Sequence, residues 1–135
     1  MREAPNPTVH SPNGDTSMSN IQILHRYTGA VLCEGNYPDL RAAVVAAVAA
    51  GSSFAGANLA KADLSWANLA KADLSWAILA GCNLSWSNLS GANLAGCNLA
   101  WCNLSWSNLA GANLSGAILT DAILAKAWLA DATMP

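Results

Sequence analysis

Charged side chains are scarce in this sequence. Only 10% of its 135 residues are Asp, Glu, Lys or Arg, against about 25% in an average soluble domain. The net charge is −2, and no charged residue stands between positions 74 and 120. A protein dedicated to nucleic acid normally carries a basic patch, so we expect no nucleic-acid partner. A long uncharged stretch also makes a poorly soluble surface, which favours contact with another protein or with a second copy.

Groups that carry out chemistry are equally few. His10 and His25 have no nucleophile or acid close to them in the sequence, and no phosphate-binding glycine loop, HExxH or GxSxG motif is present. We therefore expect no enzymatic activity, no cofactor and no metal. The longest apolar run, residues 42–50, is too short to span a bilayer, and no export signal is recognisable. These absences lead us to expect a cytoplasmic protein without a membrane partner.

The dominant feature that is present is a five-residue repeat of leucine. Leucine recurs at every fifth position from 59 to 129, with Phe54 and Met134 in the same register at the two ends. Two residues before each leucine stands Ala, Cys or Ser, and the residue directly before it is usually Asn or Asp. Alternate residues of an extended segment point the same way, so the leucine and the small residue should face inward together. The repeat thus predicts short extended sides joined by corners, which is a polygonal solenoid.

A longer repeat indicates how many sides one turn has. Residues 82–94 read CNLSWSNLSGANL and residues 102–114 read CNLSWSNLAGANL, so the sequence repeats after twenty residues. Self-similarity at a fixed period is typical of stacked repeat architectures. Twenty residues make four quintets and predict four sides per turn. A shorter duplication, residues 57–66 and 67–76, is compatible with this but would not by itself distinguish two sides from four.

The A(N/D)LSx quintets of residues 52–134 resemble those of the pentapeptide-repeat family. The resemblance implies an all-β solenoid, a right-handed quadrilateral β-helix of about four turns, with the leucine and the small residue inside. Residues 21–35 predict a β-hairpin with its turn at Thr28 and Gly29, and a helix should follow Asp39 and stop at Gly51. This pair is similar to the amino-terminal cap of many family members. We predict a disordered tail at 1–20, a cap at 21–51 and the β-helix at 52–135.

The cysteines fit a structural role. Cys82, Cys97 and Cys102 all occupy the small inward position of a quintet, and no His, Asp or Glu joins them there. We expect them to be reduced and to pack as small hydrophobic residues.

Residues twenty apart should stack directly, about 4.8 Å from one coil to the next. The outward residue before each leucine then forms columns in which Asn68, Asn88 and Asn108 could build an amide ladder. The residue two after each leucine forms four corner columns. These columns are Lys61, Gly81, Trp101 and Asp121; Trp66, Trp86, Trp106 and Lys126; Lys71, Gly91, Gly111 and Asp131; and Trp76, Gly96 and Gly116.

The tryptophans are the candidate interaction surface. Trp66, Trp86 and Trp106 line up at one corner, Trp101 lies at the neighbouring corner, and Trp76 completes the set. One interpretation is an aromatic ladder that only stabilises the stacking of coils. Another is an exposed apolar ridge for a partner or a symmetry mate. A glycan platform fits less well, because stacked sugars need wider spacing.

Apolar residues also replace Asn near the carboxy-terminal end. Outward positions there hold Ile118, Ile123 and Trp128, and Met134 follows in the leucine register. We predict a homodimer formed through this end, with these four residues in the contact.

The predicted function is that of a non-enzymatic scaffold or protein-interaction module that self-associates. The alternative, drawn from the family resemblance, is a DNA mimic that modulates a type II topoisomerase such as gyrase. DNA carries about one charge per ~1.7 Å of its axis. The predicted solenoid has four acids against three lysines, a charge density too low for that mimicry: Asp63, Asp73, Asp121 and Asp131 against Lys61, Lys71 and Lys126.

Overall fold

A computed structural model of the chain describes residues 17–135. Most of the predicted tail at 1–20 lies outside these described residues. The first strand, β1 (Ser19–Leu24), begins two residues before the predicted start of the hairpin. It starts early because Ser19 and Asn20 pair with the end of the second strand, opposite Tyr37 and Asn36.

The hairpin consists of β1 and β2 (Val31–Tyr37), which run antiparallel. Gly29 has a φ of +74° in the turn, a left-handed conformation that suits glycine. The hydroxyl of Thr28 accepts the Ala30 N–H at 3.1 Å and closes the turn. Alternation along β1 points Ile21 and Ile23 to the same side, and both pack against the core.

One helix follows, α1 (Leu40–Ala49). The Asp39 carboxylate caps its start by accepting the Ala42 N–H at 2.8 Å. At its end the N–H groups of Gly51 and Ser52 donate back to Val48 and Ala47, both at 2.9 Å. Gly51 has a φ of +88°, as expected for a helix that ends in a Schellman motif.

The same helix covers part of the core. Val44 is fully buried, and Leu40, Val45 and Val48 are half-buried against the core, so the apolar stripe of the helix faces inward. No helix within residues 17–135 is long and apolar enough to cross a membrane.

The repeats form coils of twenty residues. Every parallel bridge joins residues twenty apart, from Asn58 with Ile78 to Asn113 with Thr133. At each bridge two backbone hydrogen bonds connect the coils; the Leu84 N–H, for example, donates to the Asn103 carbonyl at 2.8 Å. Each side is too short to form a regular strand, so the sheets consist of single bridges stacked one above another. Four quintets complete one coil, which gives the solenoid four sides and four corners.

The core lies inside the coils. The leucines of the repeat from 59 to 114 are almost completely buried, and the small residues two positions earlier pack between them. Leu119, Leu124 and Leu129 of the last coil are only half-buried, because no further coil covers them within residues 17–135.

The corners have left-handed backbone conformations. Ten residues other than glycine have φ between 56° and 65° there, and the corner glycines have similar values. The Asn or Asp side chain stabilises the corner: the Asn103 Oδ1 accepts the Ser105 N–H at 3.0 Å and the Ser105 hydroxyl at 2.7 Å. Among the described residues no hydrogen bond joins one Asn side chain to another between coils. The amide oxygens turn back to their own corner and do not form the predicted amide ladder.

The hairpin and the helix cover one end of the solenoid. The Arg26 N–H donates to the Gly56 carbonyl at 2.7 Å, and the Asn58 N–H donates to the Leu24 carbonyl at 2.8 Å. The Arg41 guanidinium donates to the Ser65 carbonyl at 2.6 Å. These bonds satisfy polar backbone groups that the first coil would otherwise expose at its edge.

Candidate interaction surface

The four corners of the solenoid and one of its sides are named by their residues. The tryptophan corner is Trp66, Trp86, Trp106 and Lys126; the glycine corner is Lys71, Gly91, Gly111 and Asp131. The side between them, residues 67–70, 87–90, 107–110 and 127–130, is the asparagine side, after Asn68, Asn88 and Asn108. The remaining two corners are the Trp101 corner, with Lys61, Gly81 and Asp121, and the Trp76 corner, with Gly96 and Gly116.

The three rings of the tryptophan corner are stacked. The ring centroids of Trp66 and Trp86 are 5.0 Å apart with planes 3° from parallel, and those of Trp86 and Trp106 are 4.8 Å apart at 1°. The Lys126 Nζ lies 5.9 Å from the Trp106 ring centre and closes one end of the stack. The side chains nevertheless stay exposed, at 68% for Trp66, 45% for Trp86 and 50% for Trp106.

The backbone at this corner does not favour tryptophan. Trp66, Trp86 and Trp106 have φ values of 65°, 61° and 61°. A left-handed conformation costs an L-residue about 1–2 kcal/mol, and glycine adopts it freely. Whatever these residues contribute must therefore come from their rings, through stacking or through contact with a partner.

The other two candidate tryptophans lie apart from this stack. Trp76 is at the opposite corner, where its ring lies on Gly96 of the next coil. A Cβ placed on Gly96 would be only 2.6 Å from the Trp76 Cδ2 atom. Trp101 is at the adjacent corner and is exposed, with no ring partner among the described residues. The structure thus brings three of the five candidate tryptophans together.

The four candidate contacts of the carboxy-terminal end do not form one patch. Ile118, Ile123 and Trp128 bridge to Asn98, Asn103 and Asn108, which lie on three successive sides of the solenoid. A step of five residues is a quarter of a coil, so these side chains form a belt around the last coil. Met134 is at an inward position and is exposed, because no coil lies over it in the described part of the chain.

The sides next to the tryptophan corner differ in charge. The Asp63 Oδ1 accepts the Ser65 hydroxyl at 2.7 Å and the Ser65 N–H at 3.1 Å. These hydrogen bonds favour the ionised form and hold the pKa of Asp63 below its usual value. A carboxylate therefore stands on the side between the Trp101 corner and the tryptophan corner. The asparagine side has amides at the equivalent positions of three coils and Trp128 at that of the last coil.

The repeat cysteines are part of the core. Cys82, Cys97 and Cys102 are at most 1% exposed, and all four cysteines are free. The Cys82 and Cys97 thiols donate to the carbonyls of Leu59 and Leu74 at 2.9 and 2.7 Å. Burial raises the pKa of Cys82 to about 11 and that of Cys97 to about 12, and it raises the pKa of Cys102 as well. These thiols are poor nucleophiles and serve as small core residues.

We expect only one thiol to react in the folded protein. At pH 8 a thiol with a pKa of about 11 is roughly one-thousandth thiolate, and burial blocks access as well. Ellman's reagent should titrate the half-buried Cys33 in buffer and all four cysteines in guanidinium chloride. Rapid native reaction of three or four thiols would contradict the buried positions.

No other site with reactive groups is apparent in residues 17–135. A shallow depression of about 360 Å³ lies between the end of α1 and the first coil, with Lys71 and Asp73 in its wall. Asp73 already accepts hydrogen bonds from the hydroxyls of Ser53 and Ser75. Among the same residues no three His, Cys, Asp or Glu side chains are placed to hold a metal ion.

Comparisons with known proteins agree with this geometry. The family model for pentapeptide repeats matches residues 46–75, 67–104 and 97–134, with 8 copies. No curated protein sequence matches the chain significantly.

Solved structures give the same result. The chain is similar to alr5209, a pentapeptide repeat protein from Nostoc PCC 7120, with 36% identity and a TM-score of 0.57 over 66% of this chain and 70% of that one. It is 41% identical to HetL, a pentapeptide repeat protein involved in heterocyst differentiation regulation in Nostoc sp. strain PCC 7120. That match covers 58% of this chain and only 38% of HetL, with a TM-score of 0.37. The likeness to alr5209 implies a right-handed quadrilateral β-helix. The chain belongs to the pentapeptide-repeat family.

Proposed function

We propose that this protein is a non-enzymatic scaffold that associates with itself through its tryptophan corner. The observation that carries the proposal is the exposed stack of Trp66, Trp86 and Trp106 on a backbone that favours glycine. Three large rings that remain about half exposed offer an apolar contact surface, and Trp is among the residues enriched at protein interfaces.

The lack of charge supports self-association over a charged partner. Between Asp73 and Asp121 the solenoid has no ionised side chain, so the middle coils offer nothing to steer a strongly charged molecule. An uncharged surface fits best against another uncharged surface, and a second copy supplies one.

Association through the last coil is the second candidate. Leu119, Leu124 and Leu129 are half-buried there, and Trp128 is exposed next to them. Pairing of two such ends would remove these leucines from water. The belt arrangement of Ile118 and Ile123 means that such a dimer would bury only part of each of them.

Light scattering tests the proposal. At micromolar concentration the wild type should show twice its chain mass of 13.9 kDa. Replacing Trp66, Trp86 and Trp106 together with Ser should give a folded monomer, because the apolar surface is removed while the core is untouched.

A matched control carries Ser at Trp76 and Trp101, which are exposed but outside the stack. This variant should remain a dimer. A monomeric wild type would refute self-association. A triple variant that remains a dimer would indicate that the contact is made by the last coil instead.

A further inference from the structure

The asparagine side has two unequal edges. On one edge the rings of Trp86 and Trp106 project from the tryptophan corner. On the other edge Gly91 and Gly111 have no side chain, and a Cβ on Gly111 would have no atom nearer than the Gly91 nitrogen at 3.9 Å. Over the coils of Asn68, Asn88 and Asn108 the surface is thus a flat floor with a raised edge and a lowered edge, and in the last coil the exposed Trp128 projects from the floor. Sheets that pack face to face lie about 10 Å apart, which leaves room for one large ring over a residue without a side chain.

Two-fold symmetry can make such a surface complementary to itself. A two-fold axis parallel to the solenoid axis places the tryptophan corner of one copy over the glycine corner of the other, at nearly the same height. Along the solenoid axis the two facing corners differ in height by a quarter of the coil spacing, or about 1.2 Å. A two-fold axis perpendicular to the solenoid would instead place the raised edges against each other.

We propose that a second copy of this chain docks on the asparagine side in this parallel, side-by-side arrangement. The proposal rests on the self-association proposed above and specifies its geometry. Each tryptophan corner lies over the glycine corner of the other copy. Asn68, Asn88 and Asn108 face their own equivalents across the axis, and so does the exposed Trp128 of the last coil.

Each coil contributes one residue to each corner, which we call a level. At all four levels the residue of the tryptophan corner matches the residue that it faces in the glycine corner of the second copy. At the first level Trp66 meets Lys71 of the second copy, which is a cation–π contact. At the two middle levels Trp86 and Trp106 meet glycines. At the last level Lys126 meets Asp131 of the second copy, which is an ion pair. The level-by-level pairs are Trp66 with Lys71, Trp86 with Gly91, Trp106 with Gly111, and Lys126 with Asp131.

The charged residues at these corners are available for such contacts. No ion pair joins Lys71, Lys126 or Asp131 to another side chain within residues 17–135, and Lys126 only approaches the Trp106 ring. The stem of Lys71 runs along the glycine corner, with its Cγ 3.4 Å from the place where a Cβ of Gly91 would be.

The other sides of the solenoid match less well. On the side that contains Asp63 the same operation brings two Asp63 carboxylates together and sets Trp101 against Trp106. On the side that contains Asp73 it faces two more carboxylates across the axis. On the remaining side the Trp76 ring already lies on Gly96 and fills the place that a second copy would need.

The size of the surface indicates a reversible dimer. At 150–250 Å² for a whole tryptophan, the exposed parts of the three rings amount to roughly 300 Å² per copy. A standard interface takes about 800 Å² per partner. The asparagine floor must supply much of the contact, and dissociation on dilution is expected.

The first test places a ring in the glycine corner. Gly111→Trp should abolish the dimer, because its side chain occupies the space needed by Trp106 of the second copy. Gly116→Trp is the matched control: it lies at the Trp76 corner with a similar φ and no Cβ contact closer than 3.8 Å. The chain already holds tryptophan at left-handed corners, so both variants should fold. Dimers of equal stability in both variants would overturn the proposal.

The second test exchanges charges at the last level. Lys126→Asp alone should weaken dimerisation about tenfold, since each two-fold interface then contains two Asp–Asp contacts. Adding Asp131→Lys should restore the wild-type dissociation constant to within a few fold. Failure of the double variant to recover would contradict the pairing of these two residues.

The third test separates this geometry from end-to-end association. A bismaleimide linker should join two copies of Asn88→Cys, because residue 88 faces its own equivalent across the axis. Asn93→Cys, on the next side, should give only the background of the wild type. If the protein is a dimer but the two variants cross-link equally, the side-by-side geometry is wrong while self-association stands. A monomeric wild type would overturn both.

Discussion

Leu94→Asp is expected to abolish folding of the solenoid. Leu94 is completely buried in a middle coil, and its N–H donates to the Asn113 carbonyl of the next coil at 2.8 Å. Removing a buried leucine costs about 3–5 kcal/mol, and an unpaired carboxylate in the same place adds several more. Together these losses are comparable to the whole stability of a typical domain, about 5–15 kcal/mol.

Circular dichroism and thermal unfolding measure this effect. The variant should have no cooperative transition, whereas Trp86→Ala should retain one. Trp86 is about half exposed, and its removal costs two ring contacts of about 0.5–1.5 kcal/mol each. A Leu94→Asp protein that melts cooperatively with the wild-type spectrum would show that this leucine is not inside.

Gly56→Ala is expected to loosen the hairpin from the first coil and to reduce the free energy of unfolding by about 2–5 kcal/mol. A Cβ on Gly56 would collide with the Nε2 and Cδ2 atoms of His25. The Gly56 carbonyl also accepts the Arg26 N–H that joins the hairpin to the solenoid. The expected loss combines overpacking of about 1–3 kcal/mol with about 1–2 kcal/mol for alanine at a φ of +74°.

Gly111→Ala separates these two contributions. Its φ is +70°, close to that of Gly56, but its Cβ would enter open space. Chemical denaturation should therefore show a loss of only about 1–2 kcal/mol for this variant. Equal losses at the two positions would mean that His25 does not pack on Gly56.

Much of the fold could be predicted from the sequence because a single period controls it. The spacing of Cys82 and Cys102 in two near-identical segments predicted a coil of twenty residues, and Asn83 pairs with Asn103 in the structure. Inward and outward positions follow from alternation alone, so the sequence was sufficient to predict that the leucines face inward. The start of β1 could not be predicted in this way, because Ser19 and Asn20 are in a strand only through pairing with the end of β2.

Side-chain directions at the surface were harder to predict. The sequence suggested that stacked asparagines bond to one another, but each amide oxygen accepts the nearer N–H two residues ahead in its own corner. The contrast between Trp76 and Trp86 depends on the next coil: Trp86 meets Trp106, whereas Trp76 meets Gly96 and lies over it.

Neighbours in sequence proved a poor guide to neighbours in space. Ile118, Ile123 and Trp128 are close together in the chain, yet each quarter turn moves the next one to a new side. The tryptophan corner shows the converse, since its rings are twenty residues apart and in contact. Columns of period twenty were therefore the reliable signal for the candidate surface.

The twenty-residue coil also limits how such a protein can grow by gene duplication. Copying a whole coil lengthens every column and leaves existing surfaces in register. Copying ten residues, as residues 57–66 and 67–76 exemplify, moves a tryptophan to the opposite corner, which is the relation between Trp66 and Trp76. Duplications of five or fifteen residues would rotate every later column by a quarter turn. Only insertions of whole coils would lengthen the tryptophan stack. A duplication of five, ten or fifteen residues would rearrange the surface columns while leaving the five-residue pattern of the core unchanged.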